Sequence, residues 1–209
     1  MRTADKFLIV LAMALLPVLL LLPTLAQSDS AHDREHELKA AVIYNFIRFA
    51  EWPESKLADG NEIVMGLLTA YPFANAFDPV KDRPIKDRKL VIKELGTFTL
   101  LDKLLDPNEP SKGVKALSQC HLLFICDSEK KHIGEILKAV EDCNVLTVGE
   151  SENFLEAGGI INFIPQAEKP DFEVNLIAAK RAGLQISSRV LRLAKKVIQE
   201  QTQEQTQAE

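Results

Sequence analysis

Four groups of residues in this 209-residue chain have side chains able to do chemistry. His32 and His36 stand four apart, so a helix would carry both on one face, as a two-histidine metal site requires. Their order with Asp33 and Glu35 is not the HExxH of a zinc protease. A polar first turn of a helix accounts for the pair more simply. Cys120, His121, Cys126 and Cys143 offer soft ligands at spacings that match no common zinc pattern. Asp127 and Ser128 follow an apolar run, at the strand end where α/β folds place ligands. The same pair also suits a helix cap, which is the simpler reading. Asn162 and Asn175 sit in two short apolar runs, where a satisfied amide fixes strand register. No Gly-rich phosphate loop, nucleophile elbow or Cys-x-x-Cys pair occurs. The residues therefore predict no catalytic set, no cofactor and no metal, and we expect a protein that is not an enzyme.

The elements that would position these residues follow from periodicity. "AVIYNFIRFAEWP" (41–53) is helical, with Asn45, Arg48 and Glu51 on one narrow stripe and apolar residues over most of the remainder. This helix is expected from about Arg34 to Glu51, stopping before Pro53. So broad an apolar surface fits a helix covered on two sides, mainly core, with part left for a dimer or partner contact. "EIVMGLL" (62–68), "KLVIKEL" (89–95), "HLLFIC" (121–126) and "NVLTV" (144–148) read as strands. A short helical piece lies around Phe73–Phe77, and a short helix with a loop fills 98–119. A helix over about 129–141 joins the last two strands into a βαβ unit, which makes them parallel. Gly158-Gly159 makes a tight lead into a hairpin with strands 160–164 and 172–177. A last helix is expected over Leu184–Gln199, with Arg189, Arg192, Lys195 and Lys196 outward. The fold class is thus α/β: a single domain with a mostly parallel sheet, helices on both faces, and a C-terminal hairpin and helix.

Arg2 and Lys6, an apolar run and Thr24-Leu25-Ala26 have the order of a secretory signal, predicting 1–26 as signal peptide and a mature start at Gln27. Residues 27–33 are polar and expected to be mobile, 34–198 to form the domain, and 199–209 to be a polar low-complexity tail. The net charge of −5 argues against nucleic-acid binding and against adsorption to anionic membranes. Export makes the three cysteines meaningful. Cys120 and Cys126 lie at opposite ends of one strand, about 20 Å apart when extended. Cys120 and Cys143 open two neighbouring parallel strands, which predicts a Cys120–Cys143 disulfide with Cys126 free.

Four blocks resemble a known family in the family's own order: "KAAVIYNFIRFAEWP" (39–53), "CHLLFI" (120–125), "VLTVGESENFLEAGGIINFI" (145–164) and "FEVNLIAAKRAGLQISSRVLRLA" (172–194). The family is YfiR, the DUF4154 domain. The resemblance implies a periplasmic, non-enzymatic repressor of an inner-membrane diguanylate cyclase, which lowers cyclic di-GMP and biofilm formation. It also implies a possible homodimer and an outer-membrane lipoprotein that sequesters the repressor. The chain departs from its relatives at one point. They often pair a cysteine in the strand matching "EIVMGLLTAYPF" with the one corresponding to Cys120, and no cysteine precedes Gln119 here. Tyr44, Arg48 and Trp52 on the first helix, with Arg189 and Arg192 on the last, are the candidate interaction surface. The rival reading is a periplasmic receptor for a small ligand, which an apolar pocket at the strand ends would favour.

Overall fold

The computed structural model describes residues 26–58, 60–71, 73–81, 83–103, 111–164 and 169–200. The expected signal segment up to residue 25 and the tail from 201 lie outside the described residues. Along the chain the order is α1 (Ala26–Phe49), β1 (Ala50–Glu51), α2 (Glu54–Leu57), β2 (Glu62–Leu68), β3 (Lys89–Gly96), α3 (Phe98–Lys103), α4 (Ser111–Ser118) and β4 (Leu122–Ile125). Then come α5 (Ile133–Ala139), β5 (Leu146–Gly149), β6 (Ile161–Ile164), β7 (Asp171–Asn175), α6 (Leu176–Arg181), β8 (Gln185–Ile186), α7 (Ser188–Leu191) and β9 (Lys196–Ile198). Short 3₁₀ pieces lie at Ala74–Phe77 and, just before α5, at Asp127–His132.

Seven strands form one sheet in the order β3-β2-β4-β5-β6-β7-β9, parallel except where β6 and β7 meet as an antiparallel hairpin. The fold is α/β, and the βαβ reading holds: Leu122 pairs with Leu146 and Phe124 with Val148 in parallel register. The run LLFI lacks polar alternation because both its faces are buried. Leu122 and Phe124 pack toward α1, while Leu123 and Ile125 pack toward α5 with Ile133, Ile136 and Leu137.

The width of the apolar surface on α1 has a structural explanation. Ile43, Phe46 and Ile47 lie in the core on the sheet, with Phe46 edge-on to Phe172 at 4.7 Å between ring centroids. The segment carrying Phe73, Phe77, Val80 and Ile85 folds into the same cluster. It touches α1 through the His36 and Phe73 rings and through Tyr44 Oη, which donates to Pro84 O at 3.4 Å. The helix is therefore covered from two sides.

Two expectations are corrected. The first helix, expected to begin at about Arg34, begins at Ala26 and takes in residues 27–33. The helix expected over Leu184–Gln199 is instead β8, the single turn α7 and β9. Gly183 at φ +70° turns the chain out of α6, β8 then pairs with β1, and β9 pairs with β7. Ser187 caps α7 by accepting from Arg189 N. Val197 and Ile198 meet the open edge of β7, and β-branched residues suit that place better than a helix without a core of its own.

Gly149 and Gly159 lie on either side of the buried Phe154 ring, and a Cβ on either would run into it. The "GG" of the sequence is a slot for an aromatic ring as well as a turn.

Candidate interaction surface

The candidate residues divide by burial. Trp52 is buried, and its Nε1 donates to the carbonyl of His121 at 3.1 Å. Tyr44 is buried too, held by Pro84. Neither ring presents itself to a partner. Arg48, Arg189 and Arg192 are exposed.

The short ladder between β1 and β8 brings two of these arginines together. Ala50 pairs with Ile186 and Glu51 with Gln185, and Ser187 N donates to Phe49 O at 3.0 Å. The end of α1 is thereby fixed beside α7. The guanidinium carbons of Arg48 and Arg189 each lie 5.5 Å from the centre of the Phe49 ring, and Arg48 also lies 5.9 Å from that of Tyr44. Both distances suit a cation–π contact. Phe49 is only partly buried, and Leu193, next to Arg192, is 72% exposed. Aromatic residues and arginines dominate the binding energy of protein interfaces. Sequence reasoning missed Phe49 by assigning it to the core. The available signal was its place between Arg48 and the chain break before Pro53.

Cys120 and Cys143 lie just before β4 and β5, while Cys126 directly follows β4 at its carboxyl end. All three are thiols, and no disulfide links Cys120 to Cys143. Two of the sulfurs turn to a carbonyl of the helix before them: Cys120 Sγ to Ala116 O at 3.4 Å and Cys143 Sγ to Ala139 O at 3.9 Å. Lys56 Nζ stands close by, donating to Ser118 O and Cys143 O at 2.6 and 2.7 Å. Burial lowers the Lys56 pKa from its ordinary value, while burial pushes the Cys120 thiol up to about 11 and the Cys126 thiol up to about 12. A thiol held protonated is a poor nucleophile.

Asp127 and Ser128 do lie at the carboxyl ends of the strands, where β2 and β4 form the switch point of the sheet. They open the 3₁₀ piece rather than cap it: its N-cap position is Cys126, with no side-chain cap. Ser128 Oγ accepts from Ala70 N at 3.4 Å, and Asp127 Oδ2 accepts from Lys130 at 2.9 Å. The backbone N–H of Asp127 is taken by Glu150 Oε1 at 3.3 Å, and Glu150 Oε2 accepts from Lys39 at 2.9 Å. Asn175 caps α6, accepting from Ala178 N at 3.0 Å and donating to Leu155 O at 3.2 Å. Asn162 pairs in register with Gly149 and Glu173, and its side-chain oxygen has no hydrogen-bond partner among the described residues. His36 packs on Phe73, and no cluster of three metal-ligating residues is found among the described residues. A cavity of about 160 Å³ lies between α5 and α6, away from the carboxyl ends of the strands, with Leu137, Val140, Val145, Thr147 and Ala182 in its lining.

A mostly parallel sheet with one antiparallel hairpin defines an α/β domain, and two of its exposed arginines flank one partly buried aromatic ring. The chain belongs to the DUF4154 family, described as YfiR/HmsC-like, whose profile matches residues 36–195. Membership points to regulation in cyclic di-GMP signalling rather than to a reaction. No curated protein matches the chain. Among solved structures it is similar to a conserved domain protein from Vibrio cholerae O1 biovar eltor, at 12% identity and a TM-score of 0.49, over 76% of this chain and 59% of that one. It is also similar to an ABC domain in complex with L-Trp from Streptococcus pneumonia, at 12% identity and a TM-score of 0.47, over 66% of this chain and 55% of that one. The chain thus spans somewhat more than half the length of each. No helix among the described residues is long and apolar enough to cross a membrane.

Proposed function

We propose that the protein is exported to the periplasm, binds the periplasmic part of an inner-membrane diguanylate cyclase and holds it inactive, lowering cyclic di-GMP and biofilm formation. The observation that carries this reading is the family match over residues 36–195. Silencing a cyclase by binding needs no chemistry, only a surface whose affinity differs between active and inactive cyclase. The Arg48–Phe49–Arg189 cluster supplies a surface of suitable composition. An outer-membrane lipoprotein that sequesters the protein would release the cyclase, and a homodimer is the proposed resting form. Export follows from cleavage after Ala26. Intact mass of the periplasmic protein tests it, and a species retaining Met1 counts against it.

Deleting the gene and measuring cyclic di-GMP tests the function. The level should rise, return on complementation with the wild-type chain, and fail to rise in a strain lacking the cyclase. An unchanged level, with no cyclase captured by the purified protein, replaces this reading with that of a small-ligand receptor, for which the cavity between α5 and α6 is the place to look.

A further inference from the structure

We propose that the surface formed by Arg48, Phe49, Arg189 and Arg192 receives an acidic segment of the partner protein, one that carries an apolar side chain beside its carboxylates. This rests on the reading of the protein as a cyclase-binding regulator and specifies the chemistry of the bound segment.

The stacking of two guanidiniums, those of Arg48 and Arg189, on the one Phe49 ring carries the inference. Lys39, Lys130, Lys180 and Lys195 each hold a carboxylate of the protein within 3.5 Å. Among the described residues, Arg48, Arg189 and Arg192 are in no ion pair and their guanidinium groups make no hydrogen bond. On a chain of net charge −5, Arg48 and Arg189 stand together beside the β1–β8 ladder, with Arg192 three residues further on, and like charges so placed attract an anion.

Stacking adds geometry. A guanidinium against a ring keeps its N–H edge free, and that edge matches a carboxylate through two parallel hydrogen bonds. Two such groups around one ring, already held in place, lose little side-chain freedom when a carboxylate arrives. Phe49 and the exposed Leu193 supply apolar area for an anchor beside those carboxylates. An anionic membrane is the weaker occupant, since three cations on an acidic domain give little attraction to a lipid surface.

The test uses the full mature chain and the purified periplasmic domain of the cyclase whose loss abolishes the cyclic di-GMP rise. Arg48→Glu with Arg189→Glu should weaken binding about tenfold or more and relieve repression in the deletion strain. Arg48→Lys with Arg189→Lys should retain part of it. Lys115→Glu with Lys131→Glu, which alters the net charge equally at other exposed positions, should leave binding unchanged. Wild-type affinity should fall as salt rises. Circular dichroism melts matching wild type show that each variant folds. Equal binding by wild type and the Arg48→Glu/Arg189→Glu variant overturns this proposal alone. A wild-type chain that binds no cyclase overturns the parent reading and this one with it. Binding to phosphatidylglycerol vesicles that only the arginine reversal abolishes, with cyclase binding intact, makes the occupant a membrane and overturns the proposal.

Discussion

His121 and Val64 hold each other through two atoms of each residue. His121 N donates to Val64 O at 2.8 Å, and Val64 N donates to His121 Nδ1 at 3.0 Å. The imidazole continues the β2–β4 ladder one step beyond the end of β4. Its carbonyl then accepts from Leu146 N and from Trp52 Nε1, which ties β5 and the exit of α1 to the same residue. Because Nδ1 is an acceptor, the ring is neutral with its proton on Nε2.

This arrangement sets a pH dependence. Burial, and then the Lys56 ammonium, hold the His121 pKa down to about 4, against an unfolded value near 6.5. A depressed histidine stays neutral in the native state while the unfolded chain takes up a proton. Stability is therefore full above pH ~6.5 and falls as pH drops toward ~4, by about 3 kcal/mol. Urea unfolding between pH 7 and 4 measures this slope. In His121→Asn, whose side-chain oxygen also accepts from Val64 N, the slope should flatten even if overall stability falls.

Gly66 lies directly against the Cys120 thiol. A Cβ built on Gly66 would stand 2.7 Å from Cys120 Sγ and 2.8 Å from Leu95 Cδ1. Gly66→Ala should destabilise by about 1–3 kcal/mol, and adding Cys120→Ala should recover part of this. Gly66→Cys should bridge to Cys120 on oxidation, leaving two titratable thiols in the unfolded protein. Four thiols after oxidation would contradict the neighbourhood.

The Phe154 slot gives a packing test. Gly159→Ala sets a methyl against the Phe154 ring inside a core with no spare room, a loss of about 2 kcal/mol or more. Gly134→Ala is the internal control. It lies in α5 with no atom within 4 Å of its new Cβ, and should stabilise by about 0.5–1 kcal/mol through helix propensity. Thermal melts of the two variants should shift in opposite directions.

Lys39 and Glu150 join α1 to the carboxyl end of β5. Burial alone would lower the Lys39 pKa, but the carboxylates of Glu150 and Glu35 prevail and raise it above its ordinary value. A raised lysine contributes stability below its unfolded pKa, lost as pH rises through the folded one, so the effect is confined to alkaline solution. Glu150→Gln should cost about 1–2 kcal/mol at pH 7 and bring the Lys39 titration down, read by NMR of the lysine side chain.

The parallel core was legible because LLFI and NVLTV lack polar alternation, a pattern that only double burial allows. The cover over α1 was legible in outline, since a helix with Ile43, Phe46, Ile47 and Phe49 needs two sides of contact. The C-terminal segment was not. Val190, Leu191, Val197 and Ile198 satisfy a helical period, and only the free edge of β7, a tertiary fact, favours a strand there. The surface was half legible. Arg48 and Arg189 stood out as charged residues on apolar elements, but Trp52 and Tyr44 look the same in sequence whether their polar atoms meet water or a buried carbonyl. Asp127 and Ser128 were read as a cap because the contacts of Glu150 and Ala70 with them come from distant parts of the chain.

The first helix is anchored at both rims of the sheet, by Lys39 on Glu150 at one and by the Trp52–His121 bond just past its other end. A strut clamped at two points does not pivot. Phe49 and its flanking guanidiniums sit at the clamped end, so a partner meets a rigid template. Association then proceeds as a lock receiving its key, with affinity altered mainly through how fast the complex comes apart. Loosening either clamp, far from the contact itself, should shorten the lifetime of the complex while leaving every contacting side chain in place.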